Sequence, residues 1–251
     1  MKQIKTIVLS ITVLFIIFCS SVTISAQTVL NDIYFVAFNK EISCCLTLSE
    51  DGYYSLELVD NQSAGKKEVI RNEEVSLLSI GTFKEKNNGE IILKDSFYSF
   101  SFVIKRLKDR TIKTLKGFPF MKNCLFAYLT TSKKSSESEQ MEGNLLNKLA
   151  LKKQRDKYNS LNNKLLYDLR EGTYVHFYRD NIQLIITKNG NYQYIYKNIL
   201  LSEGKYIRDA NILTLKDVDL KYDFYMLITE NGLEGNLLPT YEVGILYKFF
   251  E

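Results

Sequence analysis

One histidine, three carboxylates on a short stretch and a handful of cysteines are the side chains best suited to chemistry in this chain. His176 is the only imidazole, so the multi-histidine zinc or copper sites have too few ligands here. As a general base it would need a carboxylate beside it, and Asp180 is among the nearest in sequence. Alternation along Tyr174–Tyr178 puts Tyr174, His176 and Tyr178 on one face and Val175 with Phe177 on the other. The apolar pair reads as the core side, which leaves His176 on the polar face as a surface or structural residue. Asp217, Asp219 and Asp223 are close enough to suggest paired carboxylates or a cation site. More often such residues mark a polar hairpin end, and the calcium-loop pattern is missing. No nucleophile elbow, phosphate loop or dinucleotide fingerprint occurs. The expectation is therefore a protein that is not an enzyme, with no catalytic residue, no metal and no cofactor.

Cysteine is read against compartment. Cys44, Cys45 and Cys124 follow the leader described below, an odd number that leaves at least one thiol unpaired in a monomer. Neighbours in a strand face opposite ways, so a disulfide is open to Cys124 with Cys44 or with Cys45, not both. Buried free thiols are the other reading. Tyrosine is the remaining unusual resource. Tyr192, Tyr194 and Tyr196 share one strand face, and Tyr222, Phe224 and Met226 share another. Together with Tyr174 and His176, the first three are the candidate ligand- or partner-binding residues, because tyrosine joins a large apolar area to a polar tip. Packing inside a sheet is the competing role for the same residues.

These side chains need a scaffold, and the chain opens with a leader. Lys2 and Lys5 precede an apolar run from Ile7 to Ile24, then small residues at Ser25 and Ala26. This is the layout of a secretory signal peptide, residues 1–26, with cleavage after Ala26; an uncleaved anchor is the rival. Cys19 follows Phe18 and reads as one more apolar residue of the run, not a lipidation site. No second apolar stretch could cross a membrane. The protein is expected to be exported: periplasmic, associated with the outer membrane, or secreted. Its formal charge of +4 includes Lys2 and Lys5. The balance left without them gives no electrostatic footprint for nucleic acid.

Beyond the leader, two strand-rich units (27–131 and 171–251) flank a polar helical linker (132–170). In the first, strands are expected at Tyr34–Phe38, Ile42–Leu48, Tyr53–Val59, Val75–Phe83, Ile91–Leu93, Phe97–Leu107 and Leu125–Leu129, with Asp51-Gly52 as a hairpin turn. In the second they fall at Tyr174–Tyr178, Ile182–Thr187, Tyr192–Tyr196, from Gly204, at Ile212–Leu215, Tyr222–Ile228 and Val243–Phe249. The order repeats. Phe35-Val36-Ala37-Phe38 aligns with Tyr174-Val175-His176-Phe177, and Leu46-Thr47-Leu48 with Leu184-Ile185-Ile186. Gly81-Thr82-Phe83 aligns with Gly204-Lys205-Tyr206, and Leu93-Lys94-Asp95 with Leu215-Lys216-Asp217. Pro119 and Pro239 precede the last strands, where Tyr128 aligns with Tyr247. The linker starts loop-like at Ser132–Ser136. Leu145, Leu146, Leu149 and Ala150 then recur at helical spacing, and Leu161, Leu165 and Leu166 suggest a second helical piece. Lys152, Lys153, Arg155 and Lys157 read as a solvated face.

The fold class is mainly β: two tandem antiparallel barrels or sandwiches closed around separate interiors. The cadence Gly172-Thr173-Tyr174, Asn189-Gly190-Asn191-Tyr192, Glu203-Gly204-Lys205-Tyr206 and Ile212-Leu213-Thr214-Leu215 resembles small exported lipocalin-like barrels of bacteria, of the copper-resistance lipoprotein and META types. It covers about eighty residues of the second unit, and the first unit more faintly, and implies the fold alone. The Cys-x-x-Cys pair of the copper-resistance type is absent. The function expected is that of a cell-envelope binding protein whose partner is another protein. Two alternatives are an inhibitor or immunity protein against a secreted toxin, and a lipocalin-like carrier of a small apolar ligand.

Overall fold

The computed structural model describes residues 28–60, 75–135, 138–161, 166–237 and 244–250. The leader, Leu165 and Pro239 lie outside them. Sixteen strands and one long helix are present among the described residues. Strands β1 (Thr28–Ala37), β2 (Ile42–Ser49), β3 (Tyr53–Asp60), β4 (Val75–Glu85), β5 (Glu90–Asp95), β6 (Ser101–Arg106), β7 (Ile112–Lys116) and β8 (Leu125–Ser135) close into one barrel. Helix α1 (Ser138–Leu161) follows. Strands β9 (Gly172–His176), β10 (Arg179–Ile186), β11 (Asn191–Tyr196), β12 (Ile199–Asp209), β13 (Ile212–Asp217), β14 (Asp223–Thr229), β15 (Gly232–Gly235) and β16 (Ile245–Phe250) close a second. Every pairing is antiparallel between chain neighbours, and the first strand of each barrel meets its last, so neither sheet has a free edge.

Short β7 and β15 were not legible in the sequence. Two linker expectations change. Ser132–Ser135 continue β8 and pair with β1, because Thr28–Asp32 offer a strand edge there. The expected second helical piece is instead the end of α1 at Leu161 followed by irregular chain at Leu166–Arg170.

The internal repeat is confirmed by register. Tyr54 pairs with Gly81 and Gly81 with Asp95; Tyr192 pairs with Gly204 and Gly204 with Asp217. Both third strands shift register at the same place, after Leu56 and after Tyr194. Each of those residues faces the equivalent leucine, Leu46 or Leu184. The sequence alignment needs two corrections. Tyr34, not Phe35, is the counterpart of Tyr174, since they pair with Leu46 and Leu184. Tyr128 corresponds to Phe249, not Tyr247, since each meets the matching tyrosine of the first strand.

Inward positions are filled. In the first barrel Tyr34, Leu46, Tyr54, Leu56, Phe102 and Phe126 are fully buried; in the second Leu184, Tyr192, Tyr194, Leu215, Phe224 and Tyr247 are buried. The interiors are not wholly separate. Tyr98, just after β5, packs edge-on against Tyr222 and Phe224 of the second barrel at 5.6 and 5.5 Å, which joins the two cores. Around this junction Ser76 Oγ and Tyr196 Oη lie 3.0 Å apart, and Lys122 reaches Asp219 at 3.4 Å. The facing ends are thus those that carry the β5–β6 and β13–β14 turns.

Candidate inter-barrel crevice

The junction is built by a device that appears once in each barrel. Asp95 accepts the backbone N–H groups of Phe97 and Tyr98 at one oxygen, and the Ser79 hydroxyl at the other at 2.6 Å. Ser79 in turn lies 2.7 Å from Tyr54 Oη. Asp217 likewise accepts from the N–H groups of Asp219 and Leu220 and from the Ser202 hydroxyl, which lies 2.8 Å from Tyr192 Oη. A buried carboxylate is costly unless its lone pairs are filled, and here turn amides and a hydroxyl fill them. Each aspartate therefore fixes the shape of the turn that follows it. Burial raises the Asp217 carboxyl above its ordinary value against the pull of those donors. Close approach of the strands is part of the device: a Cβ at Gly81 would run into the Lys94 carbonyl, and one at Gly204 into that of Lys216.

With the turns set, the first barrel presents Phe97 and Tyr98, and the second presents Tyr222, Phe224, Tyr225 and Asn236. Helix α1 forms the third wall with Leu151, Gln154, Arg155 and Tyr158, spaced three and four apart on one face. Tyr158, 1 % exposed, anchors it against Ile212 and Leu227. Gln154 Nε2 donates to Tyr158 Oη at 2.6 Å, and Tyr158 Oη to Glu234 at 3.3 Å. The Arg155 guanidinium lies 3.8 Å over the Tyr225 ring, a cation–π placement. A narrow crevice of about 10 Å³ shares Tyr98, Leu151, Arg155 and Tyr222 with a wider cleft of about 300 Å³. Asn236 lies in the crevice wall, 2 % exposed. Its carbonyl oxygen accepts from Gly244 N–H at 2.8 Å, while its amide nitrogen is buried without an acceptor among the described residues. Burial lifts the Tyr222 phenol to about 12, with Arg155 pulling the other way. It therefore stays a neutral hydroxyl.

The sequence-predicted residues sit elsewhere. Tyr174, Tyr192, Tyr194 and Tyr196 face inward and are buried. Their hydroxyls bond to Arg170 O, Ser202, Tyr247 and Ser76. They are interior packing, and Tyr196 also reaches Ser76 of the first barrel. His176 reverses its expected face: it is 3 % exposed, while Phe177 and Tyr178 are 46 % and 78 % exposed. The strand ends at His176, so the next two residues leave the sheet and face alternation no longer governs them. His176 Nδ1 accepts from Tyr178 N–H at 3.1 Å, and burial, then Arg179, hold its pKa down at about 4. Among the described residues Cys44, Cys45 and Cys124 form no disulfide, and burial pushes the Cys44 and Cys124 thiols up. Asp217 is the buried turn anchor, Asp219 belongs to the ion pair with Lys122, and Asp223 starts β14. On the helix Leu149 is exposed, and the sealed face runs from Leu151 to Tyr158 instead. The basic residues of that run are exposed as expected, though Arg155 is also seated on Tyr225.

Ser79, Ser202, Gln154 and Asn236 were not singled out from sequence. The one available signal was the repeat itself, which carries Ser-x-Gly at 79–81 and again at 202–204. No protein-family model matches the chain, and no curated protein or solved structure matches it either.

Proposed function

We propose that this chain is an exported cell-envelope protein that binds another protein without catalysing a reaction, and that it does so through the inter-barrel crevice. The observation that carries this reading is the contrast between filled barrel interiors and an aromatic, partly open cleft where both barrels and the helix meet. Concave aromatic surface with a few polar groups is the usual material of a binding site. A carrier of a small apolar ligand would have to hold it outside the barrels, because the inward positions are occupied. An inhibitor or immunity protein would use the same cleft, with a secreted toxin as its partner.

Export is tested by fractionating cells that express the chain and reading the N-terminus of the mature form; cleavage after Ala26 is expected. Binding is tested with a photo-crosslinking residue at Leu151 in the cleft and, separately, at Ile207 on the exposed wall of the second barrel. One partner should crosslink from position 151 in envelope extract and be displaced by excess unlabelled protein. Equal capture from both positions, or capture that excess protein does not reduce, removes the crevice as the binding surface.

A further inference from the structure

The crevice is chemically one-sided. Its lining residues comprise aromatic rings, one leucine, one serine, two amides and two cations, Lys152 and Arg155, with no carboxylate among them. Arg155 is held flat on Tyr225 and makes no ion pair or hydrogen bond with the described residues, so its N–H groups are left for a ligand. Independently, the Asn236 amide nitrogen, buried in the same wall, has no acceptor among the described residues. A buried donor without a partner costs free energy until an acceptor arrives. Donors thus line the crevice from both helix and barrel, beside the edge-to-face rings of Tyr98 and Tyr222.

Resting on the binding role proposed above, we infer that the partner inserts an acidic side chain next to an aromatic or aliphatic one. The carboxylate meets Arg155 and Lys152 at the wider cleft, and the apolar neighbour lies against Leu151 and Tyr222. A guanidinium already desolvated on one face by a ring loses little more on pairing, and its planar fork matches a carboxylate in two parallel hydrogen bonds. A basic partner would meet two uncompensated cations, and a neutral one would leave Arg155 facing nothing.

A displayed random-peptide library selected on the purified protein tests this. The selected peptides should carry Asp or Glu within about three residues of an aromatic or aliphatic side chain. Synthetic copies should bind the double variant Lys152→Gln/Arg155→Gln at least about tenfold more weakly. They should bind Lys205→Gln, an exposed charge on the second barrel's wall, as they bind the parent. Unchanged thermal unfolding of the double variant shows that its fold is intact. Neutral or basic peptides, equal binding to the double variant, or no saturable binder would each overturn the acidic-segment inference. Specific crosslinking from Leu151 would survive those results, so failure here is distinguishable from failure of the binding role.

Discussion

The two barrels share the network that sets their turns and differ in what lies deepest inside. Tyr54–Ser79–Asp95 and Tyr192–Ser202–Asp217 occupy the same register, each with a glycine between tyrosine and aspartate in the ladder. Two residues further along the third strand, the first barrel has Leu56, where the second has Tyr194. Phe126 likewise stands where the second barrel has Tyr247, and those two phenols meet at 3.3 Å. Val36 corresponds to the buried His176. The repeated aspartate device tolerates little change because it satisfies a buried charge. The interior beyond it accepts either apolar or hydrogen-bonded fillings of similar volume. What distinguishes the units at their junction is the turn after each aspartate: Phe97-Tyr98 in one, Asp219-Leu220 in the other, so that Tyr98 reaches across.

The comparison breaks most readily at its glycines. Gly81→Ala and Gly204→Ala should each destabilise by about 3 kcal/mol or more, since the new methyl meets a carbonyl fixed in the opposing strand. Urea denaturation checks this, and tolerance at only one site would show that the barrels close differently. Next are Ser79→Ala and Ser202→Ala, each expected to cost about 1–3 kcal/mol by leaving a buried carboxylate oxygen short of a donor. A pH series sharpens the difference between the units. His176 has its folded pKa lowered to about 4 from 6.5, so the unfolded chain binds a proton in that window that the folded chain does not. Stability should fall as pH drops from 6.5 towards 4, and His176→Val should flatten that loss. Asp217 acts the other way. Its raised folded pKa adds stability that is complete below the ordinary aspartate value and is lost as pH rises through the folded one. Asp217→Asn should therefore remove that opposing slope. The smallest effect belongs to Lys122→Ala, below about 1 kcal/mol in a salt-sensitive thermal shift, because the lysine of that inter-barrel pair is largely exposed.

Much of the architecture was legible because alternation is local. Phe102 and Ile104 were placed on one face from spacing alone, and both are buried in β6. Tyr98 and Phe100 continued the same alternation yet lie outside the strand, where Asp95 turns the chain. Chain spacing does not reveal that an acceptor fifteen or more residues from its hydroxyl donor will end a strand. His176 failed for a related reason: which face is inside depends on the neighbours across the ladder, Tyr247 among them, and not on its own strand. The crevice was illegible throughout. It takes residues from one turn, one helix face, the start of β14 and the chain just after β15, none unusual where it stands.

From the residues alone came the strand content and the duplication, since those follow from periodicity and turn chemistry within a few residues. Closure of each sheet, the burial of the tyrosine stripe and the seam of Tyr98, Tyr222 and Arg155 were decided by tertiary structure. Those depend on which surfaces meet, and side chains far apart in the chain acquire a shared environment only when the barrels dock end to end.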